Sequence, residues 1–329
     1  MDNSGYKDLH NAENGDLQDA QPESPITFAS MGLPPTSALQ DSALGKIREF
    51  SDTTFQERVF FLVMLASILS AIGVSAYRVA TVDHSHSDFT FGLVILLQAV
   101  FCLIYLIDGI LRERPSEIFI LTLATLIIVF YLVMNYIEGI QNSVKLARMV
   151  VACCTAPFLV SLGLYIAWDY YVSKKIIFRT VGADATWQGM LTRLLAFQDV
   201  LKFDLQLGGS MVILILVSGL NVNVRDIITL SVGGPLTIAW FFVGLYAMPA
   251  ESKPFAILFA LLSPCEPAYI AYRFYRLHNY IHDKSGLASA VIICGIVALI
   301  VRVIVMVLFF VVYRGFGKGL KEQVKSMKR

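Results

Sequence analysis

Residues 287–313 form the run LASAVIICGIVALIVRVIVMVLFFVVY, which contains one charged side chain, Arg302. About 20 residues of α-helix, at about 1.5 Å per residue, are needed to cross a hydrocarbon core about 30 Å thick. This run therefore predicts a transmembrane helix. It is longer than a crossing requires, so the helix is expected to tilt or to extend beyond the core.

Seven similar apolar runs precede it, at about 59–77, 90–111, 117–137, 149–169, 204–220, 227–247 and 254–276. Backbone polar groups in lipid need partners within their own segment, so each run is expected to be helical. The fold class predicted is an all-α integral membrane protein, a polytopic bundle of eight transmembrane helices. Seven is the alternative, if the fifth or the seventh run does not cross.

The composition supports a membrane protein. Of the 329 residues, 56% are hydrophobic and 16% are charged, whereas soluble domains are about 25% charged. The chain has 26 basic and 25 acidic residues, so it lacks the positive charge of a nucleic-acid-binding protein. The expected surroundings are therefore a lipid bilayer.

The chain divides into three predicted parts. Residues 1–57 are expected to form a disordered cytosolic tail, 58–313 the helical bundle, and 314–329 a basic cytosolic tail. Within the bundle, 186–203 has apolar residues at helical spacing and polar residues on its other faces. This segment is either an amphipathic helix on the cytosolic membrane surface or a linker helix packed under the bundle.

The basic residues predict the orientation. With eight spans and the amino terminus inside, eighteen Lys and Arg residues lie on the inside and seven on the outside. Cytoplasmic segments carry the excess of such residues, so both termini are expected in the cytosol. The cellular membrane and the oligomeric state are left open.

Two charges fall near the middle of predicted spans. Glu266 lies in the seventh span and Arg302 in the eighth, and consecutive antiparallel helices can bring them to similar depth. Because isolated charges are costly in lipid, we expect an ion pair between them. Pro264 and Pro267 remove helix hydrogen-bond donors beside Glu266 and predict a helix break there. The pair either fixes helix packing or lines a pathway.

Histidines provide the only metal candidates. His84 and His86 are flanked by Asp83 and Asp88, and His278 and His282 are separated by four residues, which places them on one helix face. Neutral imidazoles and carboxylates suit Zn²⁺ or Cu²⁺. The spacing matches no established metalloenzyme motif, so we expect no cofactor, with a zinc site at these histidines as the alternative.

Two motifs carry a family resemblance. The block 182–204, which begins Gly-Ala-Asp184 and ends Leu-Lys202-Phe-Asp204, and the tail FGKGLK at 316–321 resemble a family of uncharacterised eukaryotic multi-pass membrane proteins. The resemblance implies this membrane architecture and no established activity. Asp184, Lys202 and Asp204 form its interfacial motif, and Lys202 and Asp204 are expected to extend toward the interface at the entrance of the fifth span.

Three functions follow as hypotheses. The first is a transporter or channel-like protein with a pathway near Glu266 and Arg302. The second is a non-enzymatic receptor-like or scaffolding protein whose two tails bind cytosolic proteins. The third, a lipid-modifying enzyme using the histidines, is less favoured because no nucleotide-binding or hydrolase motif occurs.

Overall fold

The fold is described from a computed structural model, in which residues 40–42, 45–81, 87–138, 143–181, 184–215, 224–278 and 286–318 are placed. These residues form an antiparallel hairpin of two three-residue strands, β1 (Gln40–Ser42) and β2 (Gly45–Ile47), followed by helices. The helices are α1 (Phe55–Thr81), α2 (Ser87–Leu111), α3 (Pro115–Glu138), α4 (Ser143–Ser173), α5 (Lys175–Val181), α6 (Ala185–Ile213), α7 (Val224–Ala247), α8 (Lys253–Leu262), α9 (Cys265–His278) and α10 (Gly286–Tyr313).

Six segments of the described chain are long and apolar enough to cross a membrane: Phe55–Thr81, Gly92–Leu111, Met149–Phe178, Leu230–Ala247, Lys253–Tyr275 and Val291–Tyr313. They coincide with six of the eight predicted spans. The third predicted span is represented by a shorter apolar helical segment, Pro115–Val129. Apart from the short hairpin the described chain is helical, and its six apolar helical segments agree with the predicted helical membrane architecture; the count of eight stays a proposal.

The fifth predicted span differs most from expectation. Residues 186–203 and the start of that span form one continuous helix, α6. Its apolar residues, including Leu194, Phe197 and Leu201, are buried among the helices of the bundle. The prediction of an amphipathic helix on the membrane surface is therefore corrected in favour of a packed helix. Burial against neighbouring helices keeps these three side chains away from lipid, while Trp187 and Met190 of the same face are partly buried.

The seventh predicted span contains the expected helix break. Helix α8 ends at Leu262, and α9 begins at Cys265. Pro264 lies between them and Pro267 lies in the first turn of α9. Proline lacks a backbone N–H and restricts the residue before it, which favours an interruption at Ser263.

Two hydrophobic cores divide the bundle. One consists of residues from α1 to α4, among them Phe60, Tyr105 and Ile118. The other consists of residues from α6 to α10, among them Phe197, Phe259 and Val305. Helix α6 also contacts α2 and α3, so it is the element that joins the two halves.

The bundle begins earlier than predicted. Residues 48–57 were expected to belong to the disordered tail, but Arg48 is buried and its backbone N–H donates to the carbonyl of Leu111, 3.1 Å away. Its guanidinium also pairs with the carboxylates of Glu57 on α1 and of Glu113 in the turn between α2 and α3. We name this end of the bundle the Arg48 end. It includes the start of α1, the end of α2 and the start of α3.

Candidate functional site

Arg302 of α10 lies between two carboxylates. Its Nη2 is 2.8 Å from Oδ2 of Asp204 on α6, and the same nitrogen forms an ion pair with Glu266 on α9. Asp204 is fully buried, and Arg302 and Glu266 are 5% and 12% exposed at the side chain. With Trp240, these residues are called the Arg302 cluster below. Three helices thus converge on one guanidinium inside the bundle.

Trp240 of α7 supports the guanidinium from one face. The centre of the guanidinium lies 3.7 Å from the centre of the indole ring, a cation–π contact. The indole N–H donates to the carbonyl of Phe259, 3.1 Å away, and the two aromatic rings stack at 4.2 Å. Trp240 is therefore held in place by α8, just before the helix break.

A cavity of about 60 Å³ adjoins the cluster. A water molecule needs about 10–15 Å³ of such space, so the cavity has room for about four waters or a small ion. Its polar and charged lining comprises Thr237, Cys265, Glu266, Tyr269 and Arg302, and its glycines are Gly208 and Gly233.

Gly208 keeps the cavity open. A Cβ atom at this position would lie 2.9 Å from a methyl carbon of Thr237 and 3.1 Å from Oε1 of Glu266. Any larger residue would therefore displace the Glu266 carboxylate or close the space beside it. The glycine is explained by this close approach between α6, α7 and α9.

A second charged cluster lies on the other side of α6, toward the Arg48 end. The ammonium nitrogen of Lys202 is 2.5 Å from Oδ2 of Asp108 and 2.6 Å from Oε1 of Glu117. One helical turn earlier, Asp199 pairs with Arg114 and accepts a hydrogen bond of 2.6 Å from the hydroxyl of Ser116. We call these charged residues the Lys202 cluster.

Arg114 stays charged in this setting. Burial alone would lower the pKa of its guanidinium, but Asp199 and Glu117 outweigh that effect and raise the pKa above its ordinary value. The Lys202 cluster is therefore a network of compensated charges between α6 and the α2–α3 half.

A chain of neutral polar groups continues from the Lys202 cluster along α6. The hydroxyl of Tyr105 donates to the side-chain oxygen of Gln206 at 2.8 Å, and Gln206 also donates to Gln98. Gln98 in turn donates to the hydroxyl of Ser210 at 2.7 Å. Polar side chains thus line one face of α6 from Asp199 to Ser210, about 16 Å at 1.5 Å per residue.

A third group of charged residues is centred on Arg48, at the Arg48 end of the bundle. Arg48 pairs with Glu57 at 3.0 Å and with Glu113 at 3.1 Å, and it donates to the hydroxyl of Tyr170 at 2.8 Å. Burial opposes the charged form of Arg48, but Tyr170, Glu57 and Glu113 together raise its pKa above the ordinary value. This group links α1, α4 and the turn after α2.

Two residues of the interfacial motif lie elsewhere than predicted. Lys202 and Asp204 are buried, because Asp108 and Glu117 surround the first and Arg302 compensates the second. The prediction that they extend to the interface is corrected accordingly. Asp184 caps α6, since its carboxylate accepts a hydrogen bond from the backbone N–H of Thr186 at 2.7 Å.

Sequence reasoning paired Arg302 with Glu266 and missed Asp204 as its second partner. It also missed the Lys202 cluster and the glutamines. One signal was present, because Asp199, Lys202, Gln206 and Ser210 recur at spacings of three or four residues, which places them on one helix face.

The histidine hypothesis is not tested. His84, His86 and His282 lie outside the described residues, and nothing is described of the His278 side chain at the end of α9. Among the residues that are described, no group of three or more His, Cys, Asp or Glu side chains could hold a metal ion. The tails 1–39 and 319–329 are likewise outside the described chain, so partners that bind them stay a prediction.

Comparison with known families adds one finding. A family model described as "Domain of unknown function (DUF7789)" matches residues 44–168 and 181–311. The chain belongs to the DUF7789 family. The two matched segments of this family correspond to the two hydrophobic cores, and the match begins near Arg48 rather than at residue 58. The prediction that the chain resembles an uncharacterised family is therefore confirmed. No curated protein and no solved structure matches the chain.

Proposed function

We propose that this DUF7789 protein is a transporter or channel-like protein whose pathway passes the Arg302 cluster. The observation that carries the proposal is Arg302 held between Asp204 and Glu266, beside a cavity and a broken helix. Ionisable groups inside a membrane are costly and are found mainly at ion and substrate pathways.

Stability alone does not account for such a cluster. Replacing a buried ion pair or triad by well-packed apolar residues is often neutral or stabilising. The carboxylate oxygens of Asp204 and Glu266 also have no hydrogen-bond partner other than Arg302 among the described residues. The carboxylate of Glu266, which lines the cavity, is therefore available to a water or a cation there.

The broken helix supports the same proposal. Pro264 and Pro267 lack the N–H groups that would donate to the carbonyls of Ala260 and Ser263. The carbonyl of Ala260 accepts from the backbone N–H of Ser263 at 3.3 Å instead, and that of Ser263 loses its donor four residues on. Discontinuous membrane helices in transporters place such carbonyls and carboxylates around coupling ions. The break at Ser263 lies directly beside the cavity-lining residues Cys265 and Glu266.

The charges favour a small cation or a proton as the transported species. With both carboxylates ionised, Asp204 and Glu266 contribute two negative charges and Arg302 one positive charge, which leaves one net negative charge. A cavity of about 60 Å³ has room for an ion with a few waters. The eight-span topology is part of this proposal.

The test is flux through the purified full chain in liposomes. The probes are H⁺, followed with a pH-sensitive dye, and radioactive Na⁺ and Rb⁺. We expect flux of at least one of them, and Glu266→Gln should lower its initial rate at least tenfold. This variant leaves the Asp204–Arg302 pair in place, so the bundle should still fold.

Asp169→Asn is the matched control. It also removes one negative charge, but Asp169 is 47% exposed and pairs with an exposed Lys175. Its flux should stay within twofold of the unaltered protein. The proposal fails if none of the three ions moves, or if Glu266→Gln transports as fast as the control.

A further inference from the structure

A second cavity, of about 80 Å³, lies at the Arg48 end between α6, α10 and the turn that follows α7. Its charged lining is Arg193, Glu251, Arg314 and Lys318, and its apolar lining is Met190, Met248, Val311, Val312 and Phe316. It shares no lining residue with the cavity beside Arg302.

The charge of this cavity is positive. Arg193, Arg314 and Lys318 are exposed, and in the part of the chain that the structure describes none of them forms an ion pair. The carboxylate of Glu251 accepts a hydrogen bond from the backbone N–H of Gly317 at 3.1 Å. With these four groups ionised, the cavity carries two net positive charges, which favours an anionic ligand.

The position of the cavity favours a lipid over a free anion. Helix α10 ends at Tyr313, and Phe310, one turn earlier, is 55% exposed on an apolar helix of spanning length. The basic residues therefore stand where a membrane-spanning helix leaves the hydrocarbon core. The five apolar lining residues suit contact with the glycerol and first acyl carbons of a phospholipid. A free phosphate has no apolar atoms with which to contact them.

We propose that this cavity binds the phosphate headgroup of an anionic phospholipid. Arg193 and Arg314 supply planar donors that match phosphate oxygens, and Lys318 adds a mobile positive charge. Basic pockets between membrane helices on the cytosolic side recognise anionic headgroups through this chemistry. The sequence beyond Lys318 contains Lys321, Lys325, Lys328 and Arg329 against one acidic residue, Glu322, so this segment is basic as well and favours an anionic leaflet. The proposal does not depend on whether the protein transports an ion.

The experiment measures binding of a fluorescent short-chain phosphatidylinositol 4-phosphate to the full chain in phosphatidylcholine nanodiscs. Arg314→Gln with Lys318→Gln should weaken binding on the order of 30-fold, since each basic residue near an anionic headgroup contributes about fivefold. Lys174→Gln with Lys175→Gln is the matched control. It removes two positive charges from the α4–α5 connection, outside the cavity, and should change binding less than twofold.

A competition arm distinguishes a lipid from a free anion. Inorganic phosphate at the same concentration as the lipid should leave the probe bound. Displacement by inorganic phosphate at that concentration would overturn the assignment to a lipid. Equal weakening in the two double variants would show attraction to the surface charge in general and would also overturn the proposal.

Discussion

Arginine is the residue that position 302 requires. Its planar guanidinium can contact Asp204 and Glu266 at its edge while its face lies on Trp240. A lysine ammonium supplies the charge without the planar face, and a methionine supplies neither. Comparing arginine, lysine and methionine at position 302 therefore separates the effect of the positive charge from the effect of the planar geometry.

We predict that Arg302→Met lowers the free energy of unfolding by about 3–5 kcal/mol, because it leaves two carboxylates buried without a counter-charge. Arg302→Lys should cost about 1–3 kcal/mol, since the charge stays but the bridging and stacking geometry is lost. The measurement is unfolding of the purified protein by sodium dodecyl sulfate in mixed micelles.

Arg193→Met serves as the control, because this arginine is exposed and unpaired among the described residues; it should stay within about 0.5 kcal/mol. An Arg302→Met protein as stable as this control would contradict the cluster geometry. Equal losses for Arg302→Lys and Arg302→Met would show that the planar guanidinium, and not the charge, stabilises the site.

At the scale of the element, α6 carries polar groups on opposite faces. Lys202 and Gln206 face α2 and α3, whereas Asp204, two residues from each, faces α10. Two residues correspond to about 200° around a helix, so the alternation follows from helix geometry. The helix is buried on both faces because each polar group has a partner from another helix.

We predict that Lys202→Met destabilises the bundle by about 3–5 kcal/mol, because Glu117 is fully buried and loses a partner at 2.6 Å. Lys175→Met is the control. Lys175 pairs with Asp169 at 3.6 Å, but both side chains are about half exposed, so the loss should be at most about 1 kcal/mol. The same detergent unfolding assay measures both. Similar losses would mean that the Lys202 cluster is solvated in the membrane protein.

The same helix shows what the sequence could and could not predict. Apolar runs predicted most helices, and depth within two runs predicted that Glu266 and Arg302 would meet. Asp199 and Lys202 give the segment before residue 204 the pattern of an interfacial or linker helix, so the burial of these charges inside the bundle is not predicted. The partners of Lys202 and Gln206, such as Asp108 and Tyr105, are about a hundred residues away in the chain. A short stretch of sequence does not show that residues so far away in the chain compensate the buried polar groups of α6.

At the scale of the whole molecule, contacts at the helix ends reveal which helices run through the bundle. Helix α3 begins at the Arg48 end, and Tyr170 near the end of α4 contacts Arg48 at that same end. Since α4 follows α3 and packs along it, α3 must run to the opposite end. At 24 residues it measures about 36 Å, enough to cross a bilayer.

Helix α6 runs through the bundle as well. Its early residues Met190 and Arg193 line a cavity with the end of α10. Its last turn is contacted at the other end of the bundle, where Arg273 of α9 donates to the carbonyl of Leu214 at 2.9 Å. Counting α8 and α9 as one crossing, these two paths support the proposed eight crossings, although α6 is too polar to be among the six segments that hydropathy recognises.

Cysteine accessibility distinguishes eight crossings from six. On a background without the five native cysteines, single cysteines replace Gln141, Ala183, Ser252 and Asp283, and an impermeant maleimide labels sealed vesicles. Ser252 and Asp283 lie on opposite sides in both models and serve as internal references. With eight crossings, Gln141→Cys labels with the Asp283 position and Ala183→Cys with the Ser252 position. If α3 and α6 do not cross, both assignments reverse. That reversal would leave the charged faces of α6 outside the hydrocarbon core and remove the physical basis for a pathway at Arg302.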